Sequence, residues 1–281
     1  MIIGDSETTT PPSGGAHSEI KPTMNTGAHE KQNGDDGGRR RLGPVRLGLI
    51  LLRQQAHLAI RSVTRPSVVR HHGVKLAIGP HLTPTLVRSI YSGEYERYEL
   101  SGIGRHLEKG DVVMELGTGL GFVSLFCAGR IGEDKVHTYE ANPALEPFIR
   151  ENFQLNNLNP HLNVAFLGDE EGEQTFYIEE NFWSSSSTPR SEQSRPVQTP
   201  KRKLNDEIRR IAPTFLIVDI EGGEHDIFQI IDFQSIRKVA VELHERIIGA
   251  ERTRAVRDRL LQAGFRVAHE SPTRENLVYV R

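Results

Sequence analysis

Residues 110–126 read GDVVMELGTGLGFVSLF, with Gly117, Gly119 and Gly121 spaced two apart just behind the acid Glu115. Three glycines between two apolar runs make a turn that tolerates positive φ and lets a ligand approach the main chain closely. Placed after a strand and before a helix, such a loop is a nucleotide-type cradle. A dinucleotide fingerprint counted from Gly117 would need its third glycine at position 122, which is the bulky Phe122. No Gly-Lys-Ser/Thr follows, so the P-loop pattern fails too. Glu115 would repel a pyrophosphate but attract an ammonium or a sulfonium. S-adenosylmethionine carries both cations and no phosphate. It is the expected cofactor, held by Glu115, Gly117, Thr118, Gly119 and Gly121.

Glu140 lies 19 residues beyond Gly121, at the end of the next apolar run. A carboxylate there can accept hydrogen bonds from both ribose hydroxyls. Further acids cluster downstream. Asp219, Glu221 and Glu224 follow one apolar run, and Glu242 and His244 end another. In a parallel sheet such ends lie side by side on one edge. Methylating an oxygen requires a hydroxyl aimed at the methyl donor and a base for its proton. His244 is the expected base, because an imidazole titrates near neutrality. Asp219 and Glu221 are expected to orient the acceptor. An acid at a strand end can equally cap the following helix, and Glu224 suits the N-terminus of a helix over 223–231. The carboxylates and His244 could also ligate a divalent metal, but no tight ligand spacing marks one and none is assigned.

The elements that must position these residues alternate. Strands are predicted at 112–116, 135–140, 162–167, 214–220 and 239–243, with an extended stretch at 174–180. Helices are predicted at 122–131, after Asn142-Pro143, and at 203–211 and 252–264. FRVAHE and NLVYV close the chain as a hairpin. Apolar strands alternating with helices argue a parallel sheet covered on both faces. Residues 181–200 are polar and proline-containing around Trp183, and read as a long irregular loop, either a substrate lid or a flexible segment. His71 and His72 are read as surface or packing residues.

The chain has 281 residues, a formal net charge of -2 and one cysteine. Nothing in that balance points to nucleic acid. A lone Cys127 in an apolar helical run excludes an intrachain disulfide and fits a reducing, cytoplasmic setting. Residues 1–41 hold almost no large apolar side chains and read as a disordered tail. Residues 42–108 read as a helical lead-in, and 109–281 as the catalytic domain. RRRLGPVR is a basic cluster, either a solvated tail end or an anionic-surface contact. LGLILLRQQAHLAI (47–60) is too short and polar to span a bilayer, which leaves a domain-packing or a membrane-surface helix.

The segments MELGTGLGFVSL, VHTYEANP, ENFQLNNL, FLIVDIEGGEHDIF and VAVELH resemble the FkbM-type methyltransferases in order and spacing, over about residues 105–245. The resemblance implies an α/β fold: a doubly wound, mostly parallel seven-stranded sheet, Rossmann-like, ending in an antiparallel hairpin. It also implies methyl transfer from S-adenosylmethionine, usually to a hydroxyl oxygen. Glu115 and the three glycines match the family's methionine-side loop, Glu140 its ribose acid, and Asp169 an adenine-side contact. Gly223 departs from the alanine common there, and the family offers no guide to the N-terminal tail and basic segment. The expected activity is O-methylation of a sugar or small hydroxylated metabolite. Transfer to nitrogen and a non-catalytic nucleotide-binding scaffold are the alternatives, and Phe122 disfavours a nicotinamide dehydrogenase.

Overall fold

The structure, a computed structural model, describes residues 44–178 and 194–281. Trp183 and the serine run beside it lie outside the described residues. Helix α1 (Pro44–Thr64) leads into strands β1 (Val68–His71) and β2 (Val74–Ala77), then α2 (Pro84–Ser92) and α3 (Arg97–His106). The cofactor-type βα unit follows as β3 (Val113–Leu116) and α4 (Phe122–Ile131), with β4 (Val136–Glu140) and α5 (Glu146–Asn156) after it. Next come β5 (His161–Val164), β6 (Phe166–Gly168), β7 (Gly172–Ile178), β8 (Arg195–Lys203) and α6 (Leu204–Ile211). The chain ends with β9 (Phe215–Val218), α7 (Glu224–Ile230), β10 (Lys238–Glu242), α8 (Glu245–Gln262), β11 (Arg266–Glu270) and β12 (Asn276–Val280).

The main sheet has seven strands in the order β11-β12-β10-β9-β3-β4-β5. Strands β5, β4, β3, β9 and β10 are parallel to one another, and β12 pairs antiparallel with both β10 and β11. This is the doubly wound α/β sheet with a C-terminal hairpin that the alternation and the resemblance imply. The chain leaves β3 toward β4 on one side and returns as β9 on the other. The topological switch point therefore falls between β3 and β9, where α/β sheets bind their ligands. Strands β3 and β9 are buried along their whole length, as strands covered on both faces must be. Two apolar cores form, one per face. Phe122, Phe153 and Ile217 belong to one; Met114, Phe228 and Leu216 belong to the other.

Three features depart from the sequence-based expectations. The lead-in contains the β1–β2 ribbon, closed by a two-residue turn in which His72 and Gly73 both have positive φ. Asn152 and Asn156, one turn apart on α5, accept hydrogen bonds from the Ala77 and Lys75 backbone N–H groups, each at 2.8 Å. That pairing satisfies the ribbon's outer edge. The expected strand 162–167 is two strands, because the chain leaves the main sheet at Ala165 and β6 joins a separate three-stranded sheet, β6-β8-β7. Residues 195–200, expected to be irregular, belong to β8. Its prolines 196 and 200 obscure the strand in sequence. They are tolerated because β6 reaches only Lys201–Lys203, leaving β8 unpaired on that side from 195 to 200. Among the described residues no helix is long and apolar enough to cross a membrane.

Candidate active site

The carboxyl ends of β3, β4, β6 and β9 border a cavity of about 820 Å³, within the range of small-molecule and cofactor sites. Of the residues singled out in the sequence, Glu115, Gly117, Thr118, Gly119, Glu140, Asp169, Asp219 and Glu221 line it. Gly121 and His244 do not. Gly121 opens α4 beneath the loop at φ 75°. His244 reaches the cavity through Asp219 and Glu221, whose oxygens lie 3.7 and 3.6 Å from its Nε2.

The glycine loop is fixed by close approach. Gly117 has φ 93°, and a Cβ there would stand 1.6 Å from the Asp219 carbonyl oxygen. The loop after β3 and the end of β9 thus touch main chain to main chain, and no side chain fits between them. A hydroxyl relay runs below. Thr118 donates to Thr138 at 2.5 Å, Thr138 donates to Glu115 Oε2 at 2.5 Å, and Ser124 donates to the same oxygen. Burial raises the Glu115 carboxyl to about 7 against the pull of those two hydroxyls.

Glu140 ends β4 and braces the loop. Its Oε2 accepts the Gly119 N–H at 3.0 Å, and its Oε1 accepts the Asn142 N–H at 2.8 Å. The Thr118 and Ala141 backbone N–H groups also act on this carboxylate. Burial raises this group too, to about 7, with the backbone N–H groups opposing. Asp169 sits past β6, off the main sheet. It is largely exposed and ion-paired with Lys201 at 2.9 Å, which holds its carboxyl below the ordinary value.

The acids after β9 form a second construction. Asp219 extends β9, donating its N–H to the Leu116 carbonyl at 2.9 Å. Glu221 turns the chain at φ 52°, a conformation uncommon for a residue with a side chain. Glu224, the first residue of α7, is fully buried. Its Oε1 accepts both the Gly222 N–H at 2.9 Å and His244 Nδ1 at 2.6 Å. The glutamate therefore caps the turn and also orients the imidazole. Burial works against a charged imidazole, but the Glu224 hydrogen bond and the charges of Asp219 and Glu221 prevail and push His244 up to about 10.

The structure adds residues that sequence reasoning passed over. Glu96 and Glu99, around the start of α3, bring carboxylate oxygens within 4.8 Å of those of Asp219 and Glu242. Burial and the neighbouring acids raise Glu99 and Asp219 well above the ordinary carboxylate range and Glu242 to about 7. Such a group cannot all ionise together. Tyr95 lines the cavity beside them and packs on Phe122 with ring centroids 5.5 Å apart. Glu96 has φ 53°. A signal was present in GEYERYEL: its three acids end a run that holds none from residue 37 to 93. Two sets of groups are placed to hold a divalent cation, Asp219 with Glu221 and His244, and Glu96 with Glu99, Asp219 and Glu242.

Several solved structures share parts of this architecture. The Pyrococcus abyssi tRNA (uracil-54, C5)-methyltransferase in complex with S-adenosyl-L-homocysteine matches at 15% identity and a TM-score of 0.43, over 76% of this chain and 43% of that one. A methyltransferase from Pyrococcus furiosus matches at 15% identity and a TM-score of 0.42, over 82% and 96%. An O-methyltransferase from Bacillus cereus matches at 12% identity and a TM-score of 0.37, over 82% and 91%. The chain thus spans less than half of the first of these and nearly all of the other two. No curated protein matches it in sequence. Residues 111–267, more than half of the chain and including the glycine loop, the ribose-type acid and the Glu224–His244 pair, match the methyltransferase FkbM domain. The chain belongs to the FkbM-type S-adenosylmethionine-dependent methyltransferases.

Proposed function

We propose that this methyltransferase acts on a hydroxyl oxygen of a sugar or another small hydroxylated metabolite. One observation carries the reading. The glycine loop, Glu140 and the acids held by His244 converge on one sheet edge around one cavity. The residues fit an adenosyl donor. Glu140 lines the cavity at the end of β4, where a ribose would lie, and buried carboxyls pushed up to about 7 are relieved by a cationic ligand. S-adenosylmethionine, when bound, supplies an electrophilic methyl group on a sulfonium. Glu115, the glycine loop and Glu140 hold it, and Asp169 borders the adenine side. Asp219 and Glu221 receive the acceptor hydroxyl.

The geometry favours Asp219 over His244 as the base. An imidazolium that keeps its proton to about pH 10 is a poor acceptor at neutral pH. Asp219 lines the cavity itself, whereas His244 stands behind it, 3.7 Å from the aspartate oxygen. His244 then works as a positioning cation, held by Glu224 and facing Asp219 and Glu221. Asp219 would take the hydroxyl proton, while the donor, when bound, would give up its methyl group from sulfur to the oxygen and leave as the neutral thioether.

A second reading, transfer to nitrogen, is favoured by the cluster of Glu96, Glu99, Asp219 and Glu242, which would attract a protonated amine. Amino sugars offer both atoms to the same site. Incubation with S-adenosylmethionine and a panel of sugars and amino sugars, followed by release of S-adenosylhomocysteine and mass-spectrometric location of the methyl, separates the readings. Methyl on oxygen supports the first, and methyl on nitrogen overturns it. Donor binding without turnover on any acceptor would instead favour a scaffold.

A further inference from the structure

Helix α1 is clamped to the domain along one side. Arg61 Nη1 donates to the carbonyls of Tyr91 at 2.9 Å and Ile90 at 3.4 Å, at the end of α2, and Leu58 packs against the core. The other side faces solvent and is apolar. Leu52, Ile60 and Val63 are 64%, 61% and 85% exposed, with Ala56 and Ala59 exposed between them. Positions 52, 56, 59, 60 and 63 fall on one face of a helix. Three turns of aliphatic surface therefore stand in water.

The charge along this stretch of the chain is of one sign. Residues 37–93 hold ten lysines and arginines and no aspartate or glutamate, in a chain whose formal net charge is -2. Arg53, Arg65 and Arg70 are exposed on α1 and just beyond it. A partner must therefore be anionic on its surface and apolar beneath. A second copy of the same helix would set cation against cation. A nucleic acid would meet the arginines but offer nothing to Leu52, Ile60 and Val63, and the stripe has no aromatic ring to stack on a base. An anionic bilayer meets both needs, with phosphates for the arginines and acyl chains for the aliphatic face.

We propose that α1 lies flat on an anionic lipid surface, with Leu52, Ile60 and Val63 sunk among the acyl chains and the surrounding arginines at the headgroups. The contact is peripheral, made by one face of a helix whose other side packs on the domain. Because α1 is clamped to α2, and α2 supplies Leu86 to the cavity wall, docking holds the active site one helix away from the lipid.

The test is co-sedimentation of the full chain with vesicles of phosphatidylcholine alone and of phosphatidylcholine mixed with phosphatidylserine. The protein is expected to pellet with the second and not with the first, and raised salt should weaken the contact. The triple variant Leu52→Ser, Ile60→Ser, Val63→Ser should weaken partition about tenfold or more. Its far-UV spectrum and donor binding should be unchanged, since all three side chains are already exposed. Failure to pellet with phosphatidylserine vesicles overturns the proposal, as does partition that the triple variant leaves intact. A lipid-free dimer that the triple variant dissolves would assign the stripe to a second copy. Binding to tRNA that the variant does not affect, without vesicle binding, would assign the charge to nucleic acid.

Discussion

Glu224 Oε1 lies 2.6 Å from His244 Nδ1, and the imidazole's other nitrogen faces Asp219 and Glu221. His244, just past β10, is thus locked to the first residue of α7. One buried carboxylate fixes the ring's orientation and its charge, and that charge lies among acids lining the cavity.

The pair predicts a particular pH profile. His244→Gln keeps a donor for Glu224 but removes the cation that stabilises ionised Asp219. The acid limb of the kcat profile should move to higher pH, with donor affinity nearly unchanged by calorimetry. Loss of turnover at every pH would instead make His244 the base.

The same group predicts how stability changes with pH. Its folded-state pKa, about 10, exceeds the ordinary 6.5. Its contribution is therefore complete below pH 6.5 and lost as pH rises through 10. Urea midpoints of the unliganded protein should fall across that window. In His244→Gln the fall should be shallower, and an equal slope would show that the imidazolium is not stabilised in the fold.

Glu140→Ala removes the acceptor of the Gly119 and Asn142 N–H groups along with the ribose-type carboxylate. Donor affinity should drop by about 1–3 kcal/mol, the worth of hydrogen bonds to a charged group. Unchanged affinity by calorimetry would remove Glu140 from the ribose.

Gly117→Ala tests the contact between the loop and β9. The added Cβ would fall 1.6 Å from the Asp219 carbonyl oxygen, at a φ of 93° that only glycine takes readily. The loop or β9 must shift, and about 3 kcal/mol or more of stability should be lost with donor binding. Denaturant unfolding reads the first and calorimetry the second.

The strand–glycine loop–helix unit was legible in sequence because it is encoded in contiguous residues. Periodicity, the glycine spacing and Asn142-Pro143 are local signals, and Glu140 falls at the end of the very next strand. Phe122 spoke against a dinucleotide in sequence, and it is buried in the fold, stacked on His71 with ring centroids 5.6 Å apart. The β1–β2 ribbon was not legible, because its outer edge is satisfied by Asn152 and Asn156 from a distant helix. Nor was the β6-β8-β7 sheet, where prolines in β8 imitate a loop.

The sequence by itself determined the parallel α/β architecture and the glycine loop and strand-end acids that line the cavity, because strand and turn propensities act between near neighbours. Only the tertiary structure decided the charge state of the site. Glu96 and Glu99 meet Asp219 and Glu242 across more than a hundred residues of chain, and His244 takes its proton from the company of three acids. A pKa is set by desolvation and by charges a few ångströms away, and neither leaves a pattern along the chain.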